Sequence, residues 1–217
     1  MVVAKKSVQR LKPYVNASQS HKLYKNHRKI LKLDANESSI SPSPKVISAI
    51  MQYLQEGPIN WYPDVEAHHL SRQLSVYTGV PVHHILTFNG SDHGLETVAR
   101  TFLTLNDEVV YFQPTYDHFR VYAESCDATM VPIDADGGDR FAKKLERVVT
   151  PRTKMVYFVN PNNPTGHIID REEVIEALQQ FPALIFICDE AYFEFCGVTI
   201  ADLVMQHKNF IVSRSFS

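Results

Sequence analysis

The chain has 217 residues and a mass of 24.8 kDa, enough for one sizeable domain or one domain with an appendage. Lys and Arg number 22 against 24 Asp and Glu, a formal charge of −2 that argues against a dedicated nucleic-acid binder. No apolar run reaches the ~20 residues of a membrane helix, and residues 1–12 lack the apolar stretch of a signal peptide. Three cysteines without C-x-x-C spacing, Cys126, Cys188 and Cys196, fit a reducing, cytoplasmic location.

Residues 1–28 carry seven Lys or Arg and no acid, and read as an arm. Ser43 and Pro44 suit a helix start, and Val46, Ile47, Ile50, Met51 and Leu54 follow at helical spacing up to Gly57-Pro58. Asp64 is placed to cap a second helix ending at Thr78. Beyond it the pattern alternates. Strands are expected at 85–88, 108–112, 128–133, 155–159, 183–188 and 210–212. Helices are expected at 91–105, 116–124, 140–149 and 170–180. Strands apolar on both faces and separated by helices predict an α/β fold, a mostly parallel sheet flanked by helices. The expected division is residues 1–57, an arm and the start of a smaller domain, and residues 58–217, a large ligand-binding domain.

Ligands of such sheets sit at the carboxyl ends of the strands. The loops there hold Asn89-Gly90-Ser91-Asp92, Pro114-Thr115-Tyr116, Asn160 to Gly166, Asp189-Glu190-Ala191-Tyr192 and Arg214-Ser215-Phe216-Ser217. A glycine turn entering a helix suits a phosphate, although an ordinary N-cap uses the same residues. Tyr116 could stack on a flat ring or pack a helix. The asparagine-rich loop fits turn chemistry or a ligand equally. A carboxylate directly after an apolar strand, as at Asp189, is costly unless paired. A P-loop ATPase reading fails, since no glycine is followed by lysine. The ten histidines occur singly or as adjacent pairs, so no metal site is expected.

Together the five loops resemble the fold-type I aminotransferases that use pyridoxal 5′-phosphate, with histidinol-phosphate aminotransferases the nearest likeness. Leu11-Lys12-Pro13-Tyr14, Leu33 to Glu37, Ser41-Pro42-Ser43-Pro44 and Tyr62-Pro63-Asp64 extend the match in family order. The resemblance implies the following roles. Asp189 would keep the pyridine nitrogen protonated, making the ring an electron sink. Tyr192 and Asn163 would hydrogen-bond the ring's phenolic oxygen, and Tyr116 would stack on its face. Gly90, Ser91 and Asp92 at the helix start, with Ser215 and Ser217, would hold the phosphate. Ser91 and Asp92 would present backbone N–H groups while the Asp92 carboxylate turned away. Tyr62 would reach the phosphate in the second subunit of a homodimer, and Tyr14 and Asn36 would lie near the substrate. The partners implied are an amino acid or amino-alcohol phosphate and a 2-oxo acid, with neither nucleic acid nor membrane involved.

Three departures bear on the substrate. The family's N-E-N-P reads Asn36-Glu37-Ser38-Ser39, an acidic position is His93, and a Pro-Gly after the arm reads Asn16-Ala17. Other amino acids, aromatic ones included, stay open as donors, as does decarboxylation of a phosphothreonine-type substrate. The family's Schiff-base lysine would fall at position 218, directly after Ser217. The expectation is therefore a sequence interrupted at a modified lysine, or else an inactive, non-catalytic fragment that keeps the fold.

Overall fold

The computed structural model describes residues 2–12, 35–135 and 138–217. They fall into two compact units, one within residues 15–69 and one combining the first residues with 70–217.

In the smaller unit, helix α2 (Pro44–Glu56) starts where expected. The Ser43 hydroxyl accepts the Lys45 N–H at 3.3 Å, and Pro44 occupies the first turn, where no N–H is needed. Helix α3 (His68–Thr78), whose residues from Leu70 onward belong to the larger unit, starts four residues after Asp64. The Asp64 carboxylate does accept N–H groups, from His68 at 2.8 Å and Glu66 at 3.2 Å. It ties the turn ahead of the helix, where Ala67 takes a left-handed φ of 46°.

The larger unit opens with a short helix, α1 (Lys6–Arg10), inside the segment read as an arm. Its frame is five strands: β1 (Glu108–Gln113), β2 (Thr129–Asp134), β3 (Thr153–Val159), β4 (Ile185–Asp189) and β5 (Phe210–Ser213). Their order is β2-β1-β3-β4-β5 and every neighbouring pair is parallel, as predicted. Four longer helices cover the sheet: α4 (Gly90–Phe102), α5 (His118–Ser125), α6 (Phe141–Glu146) and α7 (Arg171–Gln180).

The period-2 geometry of strands explains the two layers. Val110 and Phe112 of β1, Val156 and Phe158 of β3, and Phe186 and Cys188 of β4 point to one face. There they pack with Phe141 and Leu145 of α6 and Val174 and Leu178 of α7. Val109, Met155, Tyr157 and Ile187 point to the other face and meet Leu95 and Ala99 of α4 and Phe119 and Ala123 of α5. Apolar residues on both faces of a strand are the mark of a covered parallel sheet.

Several boundaries move. Residues 85–88 are not a strand: a 3₁₀ turn at Val82–His84 leads into open chain, and Leu86 and Phe88 stay exposed. No strand among the described residues pairs with this segment, so its apolar run has no ladder to join. Helix α6 ends at Glu146, three residues early, where Arg147 begins the turn into β3. Helix α7 begins at Arg171, with the Asp170 carboxylate accepting the Glu172 N–H at 2.8 Å. A short helix α8 (Phe193–Cys196) and a 3₁₀ segment, Ala201–Met205, fill the β4–β5 connection.

Candidate active site

The parallel register brings the carboxyl ends of β1, β3, β4 and β5 to one edge, where Val159 pairs with Asp189 and Asp189 with Ser213. Asp189 is the last residue of β4 and only 3% exposed. Its Oδ2 accepts the Tyr157 hydroxyl at 3.2 Å and its Oδ1 accepts the Ala191 N–H at 3.2 Å. Burial raises its pKa to about 6, and the nearby carboxylates of Asp92 and Glu190 push the same way against those two donors. Tyr157 is held by a stacked contact with Phe119 at 4.4 Å between centroids, and burial pushes its hydroxyl well above the usual phenol range.

Beside Asp189, the Asn163 amide donates to the Tyr192 hydroxyl at 3.2 Å, joining the β3 and β4 loops. Asn162, not singled out as a functional residue, braces the β1 loop. Its Oδ1 accepts the Thr115 hydroxyl at 2.6 Å and its Nδ2 donates to the Pro114 carbonyl and the Thr165 hydroxyl, both at 2.9 Å. Asn160, fully buried, uses Oδ1 to accept the Ile169 N–H at 2.9 Å. The amide-rich loop thus works largely as internal bracing, with Asn163 the amide that meets Tyr192.

Helix α4 starts at Gly90, which takes φ +80°, a backbone region that favours glycine. The Asn89 side chain makes no capping bond, and the Asn89 N–H instead donates to His93 Nδ1 at 3.4 Å across the first turn. The Asp92 carboxylate lies 3.3 Å from His118 Nδ1. The Tyr116 hydroxyl lies 3.2 Å from the same nitrogen, and the Tyr122 ring stacks on the imidazole at 5.0 Å. His118 joins Asp92 to Tyr116 and was not anticipated. Three carboxylates therefore face this edge, from Asp92, Asp189 and Glu190.

After β5, the Ser215 hydroxyl donates to the Ser217 hydroxyl at 2.7 Å and accepts the Ser217 N–H at 3.0 Å, forming a small turn. Asn36, with φ 52°, and Tyr62, whose side chain is exposed, belong to the smaller unit and are described there alone. Tyr14 lies outside the described residues. The larger unit therefore brings Gly90, Ser91, Asp92, Tyr116, Asn163, Asp189, Tyr192, Ser215 and Ser217 to loops around one sheet edge. A cavity of about 390 Å³ is lined by Phe112, Phe141, Lys144, Val159, Asn162 and Glu173, and its lining includes none of these nine.

The sequence profile of the aminotransferase class I and II family matches residues 28–217. The chain belongs to that family. It is 36% identical over 99% of its length to the dihydroxyacetone phosphate transaminase of Campylobacter jejuni, covering 59% of that protein. It is 37% identical over 87% of its length to the histidinol-phosphate aminotransferase of Methanococcoides burtonii, covering 52% of it. The chain thus spans a little over half the length of these relatives. Among solved structures, the histidinol-phosphate aminotransferase of Sinorhizobium meliloti, in complex with pyridoxal-5′-phosphate, superposes with a TM-score of 0.82 at 25% identity. It covers 99% of this chain and 58% of its own.

Proposed function

We propose that the protein is a pyridoxal 5′-phosphate-dependent aminotransferase of the histidinol-phosphate type, acting in the cytoplasm as a homodimer. It would move an amino group between a phosphorylated amino compound and a 2-oxo acid. The observation that carries this reading is Asp189: a carboxylate 3% exposed, with an O–H and an N–H as its donors and no Lys, Arg or His paired with it among the described residues. A buried anion so placed is matched to a cationic ligand group. The protonated ring nitrogen of the cofactor is such a group, so the residues present fit it.

When bound, the cofactor supplies an electron sink for the carbanion formed at the substrate. The chain's own contribution is orientation and charge. Asp189 would hold the proton on the ring nitrogen, and its surroundings fix its oxygens through Tyr157 and Ala191. Tyr192 and Asn163, already bonded to each other, would meet the ring's phenolic oxygen. Tyr116 would cover one ring face. The α4 start, with Gly90 and the N–H groups of Ser91 and Asp92, would hold the phosphate with the Ser215–Ser217 turn. Tyr62 would complete the site from the partner subunit, and Tyr14 and Asn36 would face the substrate. In this reading residues 1–57 begin a small domain and residues 58–217 bind the cofactor.

Both relatives carry amino-transfer names, which favours transamination over decarboxylation. Both names also include a phosphate ester. The 36% identity to the Campylobacter protein over nearly the whole chain supports dihydroxyacetone phosphate as a second candidate acceptor. The test is a panel of donors and acceptors, histidinol phosphate and dihydroxyacetone phosphate included, followed by conversion of the cofactor spectrum to its amine form. Amino transfer that strictly requires the cofactor is the expected result. A protein of natural length that neither binds the cofactor nor transfers an amino group would refute the reading.

A further inference from the structure

Arg214 sits between β5 and the Ser215–Ser217 turn, where a cation beside a phosphate would be the simplest expectation. Its charge is directed elsewhere. The Arg214 Nε donates to Glu190 Oε2 at 2.9 Å and a terminal nitrogen of the same guanidinium lies 2.8 Å from that oxygen. Glu190 is fully buried. The same Oε2 accepts the Thr199 hydroxyl at 2.7 Å, and Oε1 accepts the Ile200 N–H at 2.8 Å. The Arg214 guanidinium also lies over the Phe193 ring, 3.8 Å from its centroid. Meanwhile the Glu190 backbone N–H donates to the Ser213 carbonyl at 2.8 Å. Residues 189–193, 199–200 and 213–214 are thereby joined through one carboxylate.

We infer that Glu190 and Arg214 are a positioning pair that sets the Ser215–Ser217 turn for the cofactor phosphate, and that Arg214 is not itself a phosphate ligand. The inference rests on the reading of that turn as part of the phosphate cup. A planar guanidinium held by a buried carboxylate and an aromatic face has one orientation, and the residue that follows it inherits that orientation. Glu190 lies beside Asp189 and two residues before Tyr192, so the same pair relates the phosphate end of the site to the ring end.

The experiment compares the affinity of the unliganded protein for pyridoxal 5′-phosphate and for pyridoxal, which lacks the phosphate. The dissociation constant of pyridoxal divided by that of pyridoxal 5′-phosphate is the ratio that isolates the hold on the phosphate, and a change in overall stability alone does not move it. In Glu190→Gln the ratio is expected to fall by about tenfold or more, the size of losing one charge-assisted hydrogen bond. Were Arg214 a phosphate ligand, freeing it from Glu190 would raise the ratio. An unchanged or increased ratio in Glu190→Gln overturns the inference. The double variant Ser215→Ala/Ser217→Ala tests the underlying reading: if its ratio matches wild type, the turn is not part of the cup and the inference falls with it. If the ratio falls there but not in Glu190→Gln, only the inference fails. Should Glu190→Gln not fold, Thr199→Val removes one donor to Glu190 without changing charge. A smaller fall in the ratio is then expected, and no fall overturns the inference.

Discussion

Replacing Asp189 with Asn should change how the stability of the unliganded protein depends on pH. The carboxyl is 3% exposed and its pKa is raised from 3.8 to about 6, chiefly by burial. The unfolded chain therefore ionises this group more readily than the folded one. Below pH 3.8 both states are protonated and nothing is lost. As pH rises through that value toward and past 6, the folded state carries a growing penalty that levels off above. A rise of roughly two pH units corresponds to about 3 kcal/mol. Asn does not titrate, so Asp189→Asn abolishes this part of the pH dependence. Its hydrogen-bond geometry differs from that of Asp, with a cost of about 1–3 kcal/mol for an N–H facing the Ala191 N–H. That cost is common to all pH values and cancels in the comparison. Urea unfolding of both proteins at pH 4 and pH 8 should show the variant gaining about 2.4 kcal/mol relative to wild type between the two, since at pH 4 the unfolded carboxyl is already more than half ionised. Pyridoxal 5′-phosphate should narrow the difference, by giving the carboxylate a cationic partner, and amino transfer by the variant should fall by orders of magnitude. Equal pH dependence in the two proteins, within about 0.5 kcal/mol, would refute the assignment of a strained buried carboxyl.

Other expectations follow from packing, capping and assembly. Phe119→Ala removes a fully buried ring stacked on Tyr157 and should cost about 3–5 kcal/mol in denaturant unfolding. Asp170→Ala removes the N-cap of α7, and a loss of about 1 kcal/mol in the same assay is expected. Tyr62→Phe should speed cofactor release while leaving the unfolding midpoint in place, because the hydroxyl is exposed within its own chain. Sedimentation of an active monomer at assay concentration would remove the partner-subunit role from that tyrosine.

The sheet was legible because its strands are apolar on both faces. Val109 and Val110, or Ile187 and Cys188, can be satisfied only between two helical layers, and the structure places them there. Residues 85–88 misled for the complementary reason: a strand needs a partner as well as a composition, and a partner is a tertiary fact. Helix starts shifted where a side chain ties the preceding turn, as at Asp64, which looks in sequence the same as a cap. The loops at the carboxyl edge were visible from their residue types, but their wiring was not. Nothing in the spacing of Asp92 and His118, or of Glu190 and Arg214, announces a pair. Tyr157 was not singled out in the strand at 155–159, because its hydroxyl has a role only once β3 and β4 are in register.

In the proposed reading, that wiring bears on why one acid would suit a cofactor and its neighbours would not. Asp92, Asp189 and Glu190 crowd one edge, and Asp92 and Glu190 each raise the cost of ionising Asp189. Glu190 is answered by Arg214, and the Asp92 carboxylate lies against the His118 imidazole. Among the described residues Asp189 has only the Tyr157 hydroxyl and the Ala191 N–H, neither of which brings positive charge. Supplying it with a lysine or arginine from the protein would relax the site and leave the carboxylate with little to gain from a ligand. Leaving it without a cation keeps its ionisation coupled to whatever positive group arrives. A buried carboxylate gains most from a proton-bearing nitrogen placed against it in low dielectric. Under the proposed function the same coupling would make the site self-selecting: a neutral ring nitrogen placed there would leave the penalty in place, whereas a protonated one would remove it and would itself be held in the protonated form.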